Sequence, residues 1–367
     1  MRFVRKLRSR KTSAAVPDSS LKPFPWLSPI ILLSVFLAGH TDGRSKEDGL
    51  RRYEYTLARM GTLARVVIYA PDAGQAQRAA SGAFDRIEEL EDMLSDYREE
   101  SELNRLAREA VRRPQAVSPE LFYVLQQSRK FSELSGGAFD ITIGPVVRLW
   151  REARRTKRPP AASDVEKAKA LVDYRSLELD PATRTVMLTR AGMQLDLGGI
   201  AKGYAADQAL EILKSHGIRT ALVALGGDIR VSGVPPATGG WGVAIENPDA
   251  GKQKPLCTVA LQEGAISTSG DTQQYLESGG VRFSHIVDPG SGVGLKNAAS
   301  TTVIAKDGLT ADALATTLSV MPVEQGLRLV ESFEGASAFI VRRSADGFRY
   351  FRSRGFPPAC GYTTRQE

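Results

Sequence analysis

Residues 195–204 read Leu-Asp-Leu-Gly-Gly-Ile-Ala-Lys-Gly-Tyr, and no other stretch restricts the chain as tightly. An acid at the end of an apolar strand, three glycines, a lysine and then a helix place backbone amides where they can face an anion. The glycines permit positive φ and close backbone approach, and Lys202 adds a point charge. The helix expected over residues 205–216 contributes an amino end that favours negative charge. A phosphate-bearing ligand fits this turn, and so does a plain packing turn. The segment alone does not choose between them.

The rest of the chain must supply the context. Its 367 residues, 42% hydrophobic and 25% charged, suffice for one large or two medium globular domains. Of the net charge of +7, six come from Arg2, Arg5, Lys6, Arg8, Arg10 and Lys11, which leaves the body nearly neutral. No basic stripe interleaved with aromatics follows, so nucleic acid is not an expected partner. The six cations precede an apolar stretch at residues 26–39, the order of a secretory signal. Pro29 interrupts it and it is short for a span, which leaves a cleaved signal and a short anchor both open. Either way the body is expected outside the inner membrane. Residues 37–40 read Leu-Ala-Gly-His, which is either an ordinary end to the apolar stretch or a lipoprotein signal with His40 in place of the cysteine. Without that thiol lipidation is not expected. Cys257 and Cys360 are the only cysteines, so one disulfide is possible and a zinc ribbon is not.

Three segments follow: a signal or anchor plus linker at 1–52, a body at 53–350 and a tail at 351–367. Two strands are predicted over residues 53–70 around Met60-Gly61-Thr62, then an amphipathic helix over 73–94. Ser118-Pro119-Glu120 starts a second helix that ends at Gly136-Gly137. Residues 151–162 are basic and proline-bearing and read as a solvated loop. Strands are expected at 177–179, 185–188 and 194–197, then at 221–225 after the glycine-rich helix. Further strands at 241–246, 256–261, 264–268, 284–287 and 300–305 make the second half largely antiparallel. The class is α+β, and the strand spacing argues against a doubly wound sheet.

Thr310 is the expected cap of a helix that carries Asp312 and Thr316, four apart and therefore one turn apart on one face. Such oxygens can take up a hard cation, or Asp312 can simply complement the helix dipole. His285 and Asp288 near a strand end are either a structural pair or a catalytic base with its partner. There is no Gly-x-Ser-x-Gly elbow, no His-Glu-x-x-His and no Walker lysine. The turn at Gly198 also fails the dinucleotide fingerprint in its first spacing.

Taken in order, Met60-Gly-Thr62, Leu94-Ser-Asp-Tyr97 with Ser101-Glu-Leu-Asn104, Gly136 through Pro145, Leu195 through Tyr204, Leu225-Gly-Gly-Asp228, Thr268-Ser-Gly-Asp271, Ser284 through Pro289 and Asp312 through Thr316 resemble the ApbE family. These are the FAD:protein FMN transferases, and the resemblance covers residues 55–345. It implies mixed, largely antiparallel sheets with flanking helices and an FAD site between two lobes. It implies that Met60, Tyr97, Ala138, Phe139, Asp140, Asp196, Lys202 and Ile286 surround FAD, and that Gly199 through its carbonyl, Asp312 and Thr316 hold Mg²⁺.

The activity so implied is transfer of FMN from FAD to a threonine or serine hydroxyl of an acceptor protein, with a phosphoester formed and AMP released. His285, Asp312 and Lys202 are the expected catalytic residues, with Asp288 or Asp271 as other bases. The acceptor is expected to be a membrane redox subunit, and the location periplasmic or facing the periplasm. A pyrophosphatase releasing FMN and AMP from the same site, or a non-catalytic flavin-binding protein, remain as alternatives. The absent lipid-bearing cysteine at His40 departs from the family pattern and leaves the chemistry untouched.

Overall fold

The computed structural model describes residues 49–248, 254–271, 274–358 and 360. The amino-terminal basic run, the apolar stretch and His40 lie outside the described residues. Among those described, no helix is long and apolar enough to cross a membrane.

The frame is one eight-stranded sheet whose spatial order follows the chain. Its strands are β1 (Arg51–Arg59), β2 (Thr62–Ala70), β3 (Thr220–Leu225), β4 (Asp228–Ser232), β5 (Gly264–Gly270), β6 (Ala298–Ala305), β7 (Ser337–Ser344) and β8 (Gly347–Arg352). Every neighbouring pair is antiparallel. Met60 and Gly61 both take positive φ, 50° and 68°, at the two-residue tip joining β1 to β2. That primed-turn geometry suits the strand twist and is unusual for methionine.

Among the described residues eight helices fill the long connections: α1 (Ala73–Leu94), α2 (Glu102–Glu109), α3 (Pro119–Leu134), α4 (Gly144–Thr156), α5 (Ala162–Lys169) and α6 (Ala201–Ser215), then α7 (Gly308–Val320) and α8 (Val323–Glu331). In α1 the expected stripe of Ala76, Ala79, Ala83, Ile87, Leu90 and Leu94 is fully buried. Each of its larger members contributes about 1.5–3 kcal/mol of apolar burial. Ser118 caps α3 as expected, accepting from the Leu121 amide.

Several expectations change. Residues 151–156 are not loop: they continue α4, because Val146, Trp150 and Ala153 make a narrow buried stripe that the arginines between them obscure. Lys157, left-handed at φ 57°, ends that helix, and Pro159-Pro160 lie beyond it. Residues 194–197 form no ladder strand; Gln194 makes one isolated bridge to Ile143, and the Asp196 amide donates to Ile141 O at 2.8 Å. The glycine-rich helix starts at Ala201 and not at 205, so Lys202 and Gly203 stand in its first turn. Asp307, and not Thr310, caps α7, accepting from the Thr310 amide at 2.7 Å. The strand expected at 284–287 breaks at His285 and Ile286, between short strands Val281–Ser284 and Val287–Asp288.

Two of the hydrophobic cores among the described residues position the site. The larger joins the sheet to α1, α3, α6 and α7. The smaller gathers Val146, Trp150, Ala153, Ala168, Leu276 and Val287, with Trp150 Nε1 donating to Gly292 O at 2.9 Å. At the far end of the sheet Phe356 stacks on Phe339, and a disulfide joins Cys360 to Cys257 with Cα atoms 5.0 Å apart.

Candidate active site

The site is built where the amino ends of α6 and α7 cross. A methyl group placed on Gly203 would lie 2.0 Å from Gly308 O, and one placed on Gly199 would lie 2.8 Å from Thr316 Oγ1. Only glycine allows backbones to approach this closely. The crossing is antiparallel, so the turn at Gly199 faces Thr316 while Gly203 faces Asp312 and Gly308.

Capping fixes the crossing further. Ile200 offers α6 no side-chain cap; instead Asp312 Oδ2 accepts from the Gly203 amide at 3.0 Å. Asp207 of α6 returns the service to α7, accepting from the Gly308 and Leu309 amides at 2.8 and 2.9 Å. Each helix thus supplies a carboxylate for the orphan amides of the other.

Lys202 projects from this junction. Its ammonium bonds Asp228 Oδ2 and lies 3.9 Å from Asp312 Oδ2, while Ser267 Oγ donates to Asp228 Oδ1 at 2.6 Å. Burial alone would lower the lysine's pKa, but Asp228 and Asp312 outweigh it and raise it above the ordinary value. Burial pushes the Asp312 carboxyl up, Asp228 adds to this, and Lys202 opposes it. Two carboxyl groups share one ammonium, and with Asp312 pushed up to about 7 the group carries one negative charge in excess only once Asp312 ionises. Ser269 Oγ sits 3.4 Å from Thr316 Oγ1 at its edge.

A second cluster comes from α4. Gly144 lets the start of α4 lie against the Gln194 backbone, where a methyl would meet Gln194 O at 2.7 Å. From there Arg151 bonds Asp96 and donates to Asp196 Oδ2 at 2.9 Å, with its guanidinium carbon 3.9 Å from the Tyr97 ring centre. Asp196 Oδ1 also accepts from the Gly198 amide at 2.7 Å, which ties this cluster to the glycine-rich turn.

His285 stands between the short strands, half-buried, with Nδ1 3.2 Å from Gln274 O. Burial, with the positive charge of Arg154 and Lys202, pushes its pKa down to about 4. Donation from Nδ1 to that carbonyl leaves the Nε2 lone pair free. Asp288 is no partner to His285: its oxygens accept from the Gly290 and Ser291 amides at 2.9 and 3.3 Å. Asp271 is fully buried against Arg343, 3.3 Å away.

Of the remaining residues singled out in the sequence, Met60 is at the hairpin tip, whose Thr62 touches the Gly226 turn beside Asp228. The Phe139 ring is in the larger core and Ile286 is 8% exposed. Both Asp140 oxygens are engaged internally, by the Thr142 amide at 2.8 Å and hydroxyl at 2.6 Å and by the Tyr174 amide at 2.9 Å. Asp140 therefore fastens the segment that presents Ala138. The sequence alone puts Arg151 in a solvated loop and singles out no role for Asp207. Their signals, a buried stripe at positions 146, 150 and 153 and an acid five residues after Lys202, are visible only once the helix phases are known.

The family model described as ApbE family matches residues 60–340. The chain belongs to the ApbE family. A relative from Klebsiella pneumoniae, named FAD:protein FMN transferase, is 33% identical over 81% of this chain and 91% of its own. One of the same name from Vibrio cholerae is 34% identical over 74% and 81%. Among solved structures, the ApbE protein of Thermotoga maritima superposes with TM-score 0.76 at 30% identity, covering 85% of this chain and all of the other. The flavin transferase ApbE from Vibrio cholerae gives 0.73 at 29% identity, covering 84% and 99%. The expected ApbE membership and the mixed α+β fold are thus both found.

Proposed function

We propose that this ApbE protein transfers the FMN half of FAD to a threonine or serine hydroxyl of an acceptor protein. The observation that carries this reading is Lys202, held by Asp228 and Asp312 at the crossing of two helix amino ends, in a family whose relatives are named for this transfer. In the reaction the acceptor oxygen bonds to the FMN-side phosphorus. The bond from that phosphorus to the bridging oxygen breaks, and AMP leaves with the oxygen.

Transfer between anionic phosphorus centres rests on positioning and on charge neutralisation. Lys202 stays protonated through neutral pH and places its charge beside the helix amides. His285, neutral at pH 7 with Nε2 free, takes the proton of the attacking hydroxyl. Asp196, held by Arg151 and the Gly198 amide, and Tyr97, stacked on Arg151, form the flavin-side wall with Met60, Ala138 and Ile286.

Gly199, Asp312 and Thr316 fit a bound Mg²⁺. A bound cation would favour the ionised form of Asp312, which burial and Asp228 oppose, and a carboxylate, a hydroxyl and a main-chain oxygen are the sparse set this ion accepts. When bound, the ion would neutralise diphosphate charge. Among the described residues no group of three or more His, Cys, Asp or Glu is arranged for a metal, so the set depends on ligand oxygens and water. The Cys257–Cys360 disulfide supports an oxidising compartment, in keeping with export to the periplasm. A membrane redox subunit is the acceptor that this location favours.

The test is product analysis with FAD, Mg²⁺ and an acceptor subunit. Equal yields of AMP and FMN-modified acceptor are expected. Free FMN with unmodified acceptor would make the chain a pyrophosphatase, and intact FAD would make it a binding protein.

A further inference from the structure

Helix α4 carries Arg148, Arg151, Arg154 and Arg155. Arg151 spans Asp96 and Asp196, Arg155 pairs with Glu152, and Arg148 is exposed. Arg154 is different. It makes no hydrogen bond or ion pair among the described residues, and its Nη1 is buried without a partner. Arg59, Arg65 and Arg343 also bury an unpartnered nitrogen, but each is paired through another nitrogen, with Glu88, Glu54 and Asp271. A guanidinium does not shed its proton, so burying one of its nitrogens with no acceptor among the described residues is costly unless a ligand supplies the acceptor.

Its surroundings say what that is. Arg154 stands one turn after Arg151 on the same face, within electrostatic reach of Tyr97, Arg151, Asp196 and His285. Asp196 is already taken by Arg151 and the Gly198 amide, and no ion pair to Arg154 forms among the described residues. The charge of Lys202 is likewise matched by Asp228 and Asp312. The one unmatched cation among these residues is therefore Arg154.

We propose that Arg154 binds anionic oxygen of the substrate diphosphate beside His285. This rests on the function given above. The planar fork of the guanidinium can grip phosphate through two nitrogens, which an ammonium cannot do. The group also explains why a part-buried guanidinium with one buried, unpartnered nitrogen is tolerated on a helix that otherwise pairs its buried charge.

The test uses the full chain, with Arg154→Met and Arg154→Lys, and measures binding of FAD, pyrophosphate and riboflavin in the presence of Mg²⁺. Arg154→Met should weaken FAD and pyrophosphate by about 10- to 100-fold, as expected for a lost charge-assisted contact, and leave riboflavin unchanged. Arg154→Lys should recover part of the loss. The apo variant should melt at the wild-type temperature or above it, because no hydrogen bond or ion pair with a described residue is removed and methionine keeps the apolar stem. Unchanged FAD and pyrophosphate affinity would overturn the proposal. So would an equal loss for riboflavin, which would place Arg154 on the flavin, or a rise only in the KM for acceptor, which would place it on the partner's acidic groups. Wild-type protein that ignores FAD would sink the functional reading instead, and the pyrophosphate comparison would still decide the role of Arg154.

Discussion

The Gly203 amide donates to Asp312 Oδ2 at 3.0 Å, so the carboxylate assigned to catalysis is also the amino-terminal cap of the helix that carries Lys202. One bond thereby couples the fold to the site. Capping sets where Asp312 stands, and the approach of Gly203 to Gly308 sets how near it comes to the lysine.

Gly203→Ala should be strongly destabilising. Its new methyl would meet Gly308 O at 2.0 Å and Asp312 Cβ at 2.8 Å, and both neighbours are held by helix backbone. Overpacking of this kind costs about 3 kcal/mol or more, read as a lower urea midpoint. Gly239→Ala, with nothing within 4 Å, is the control and should be neutral or slightly stabilising.

Asp207 makes stability depend on pH. Burial pushes its pKa up to about 6 despite the Gly308 and Leu309 amides and Arg230. The folded state therefore favours the protonated form. The stability this gives is complete below the unfolded carboxylate value near 4 and is lost as pH rises through about 6. Asp207→Asn should flatten the unfolding free energy over that window by up to about 3 kcal/mol relative to wild type. An unchanged slope would show that the carboxylate is ionised throughout.

His285 is held neutral, with its pKa pushed down to about 4, so transfer should keep its full rate well below the usual histidine range and fall only towards that value. His285→Gln should cut turnover about 100-fold or more and abolish that acid limb. A limb near pH 6.5 that persists in His285→Gln would assign the acid side to another group, such as Asp312, whose carboxyl is pushed up to about 7.

The Cys257–Cys360 disulfide closes a loop of 103 residues. Its reduction, or the paired change to alanine, should lower stability by up to about 5 kcal/mol in guanidinium melts. FAD affinity should stay at the wild-type level, since neither cysteine contacts Lys202, Asp312 or Arg151.

Much of this architecture is legible in the sequence where local patterns are strong. The stripe of α1, the Ser118-Pro119 start of α3 and the hairpin around Met60 all appear as read. What depends on pairing at a distance is not legible. The polar look of residues 151–156 hides a helix because its apolar stripe, at 146, 150 and 153, is narrow and finds its partner in strands more than a hundred residues away. The strand expected at 194–197 fails because Asp196 turns to Ile141, Gly198 and Arg151 rather than joining a ladder. Local pattern shows that Asp312 and Thr316 share a helical face; that this face meets the glycine-rich turn is implied only by the family resemblance, not by spacing. Arg154 was hidden among neighbouring arginines, and only the pairing of the others singles it out.

The most direct test of the central claim is the intact mass of an acceptor subunit after incubation with FAD and Mg²⁺, with wild type and Asp312→Asn side by side. The asparagine keeps an oxygen to accept from Gly203 and removes only the charge, so both proteins should fold with similar melting temperatures. The wild type should add one FMN phosphoester per acceptor, and the variant should add none. Full modification by a folded Asp312→Asn protein would contradict the account.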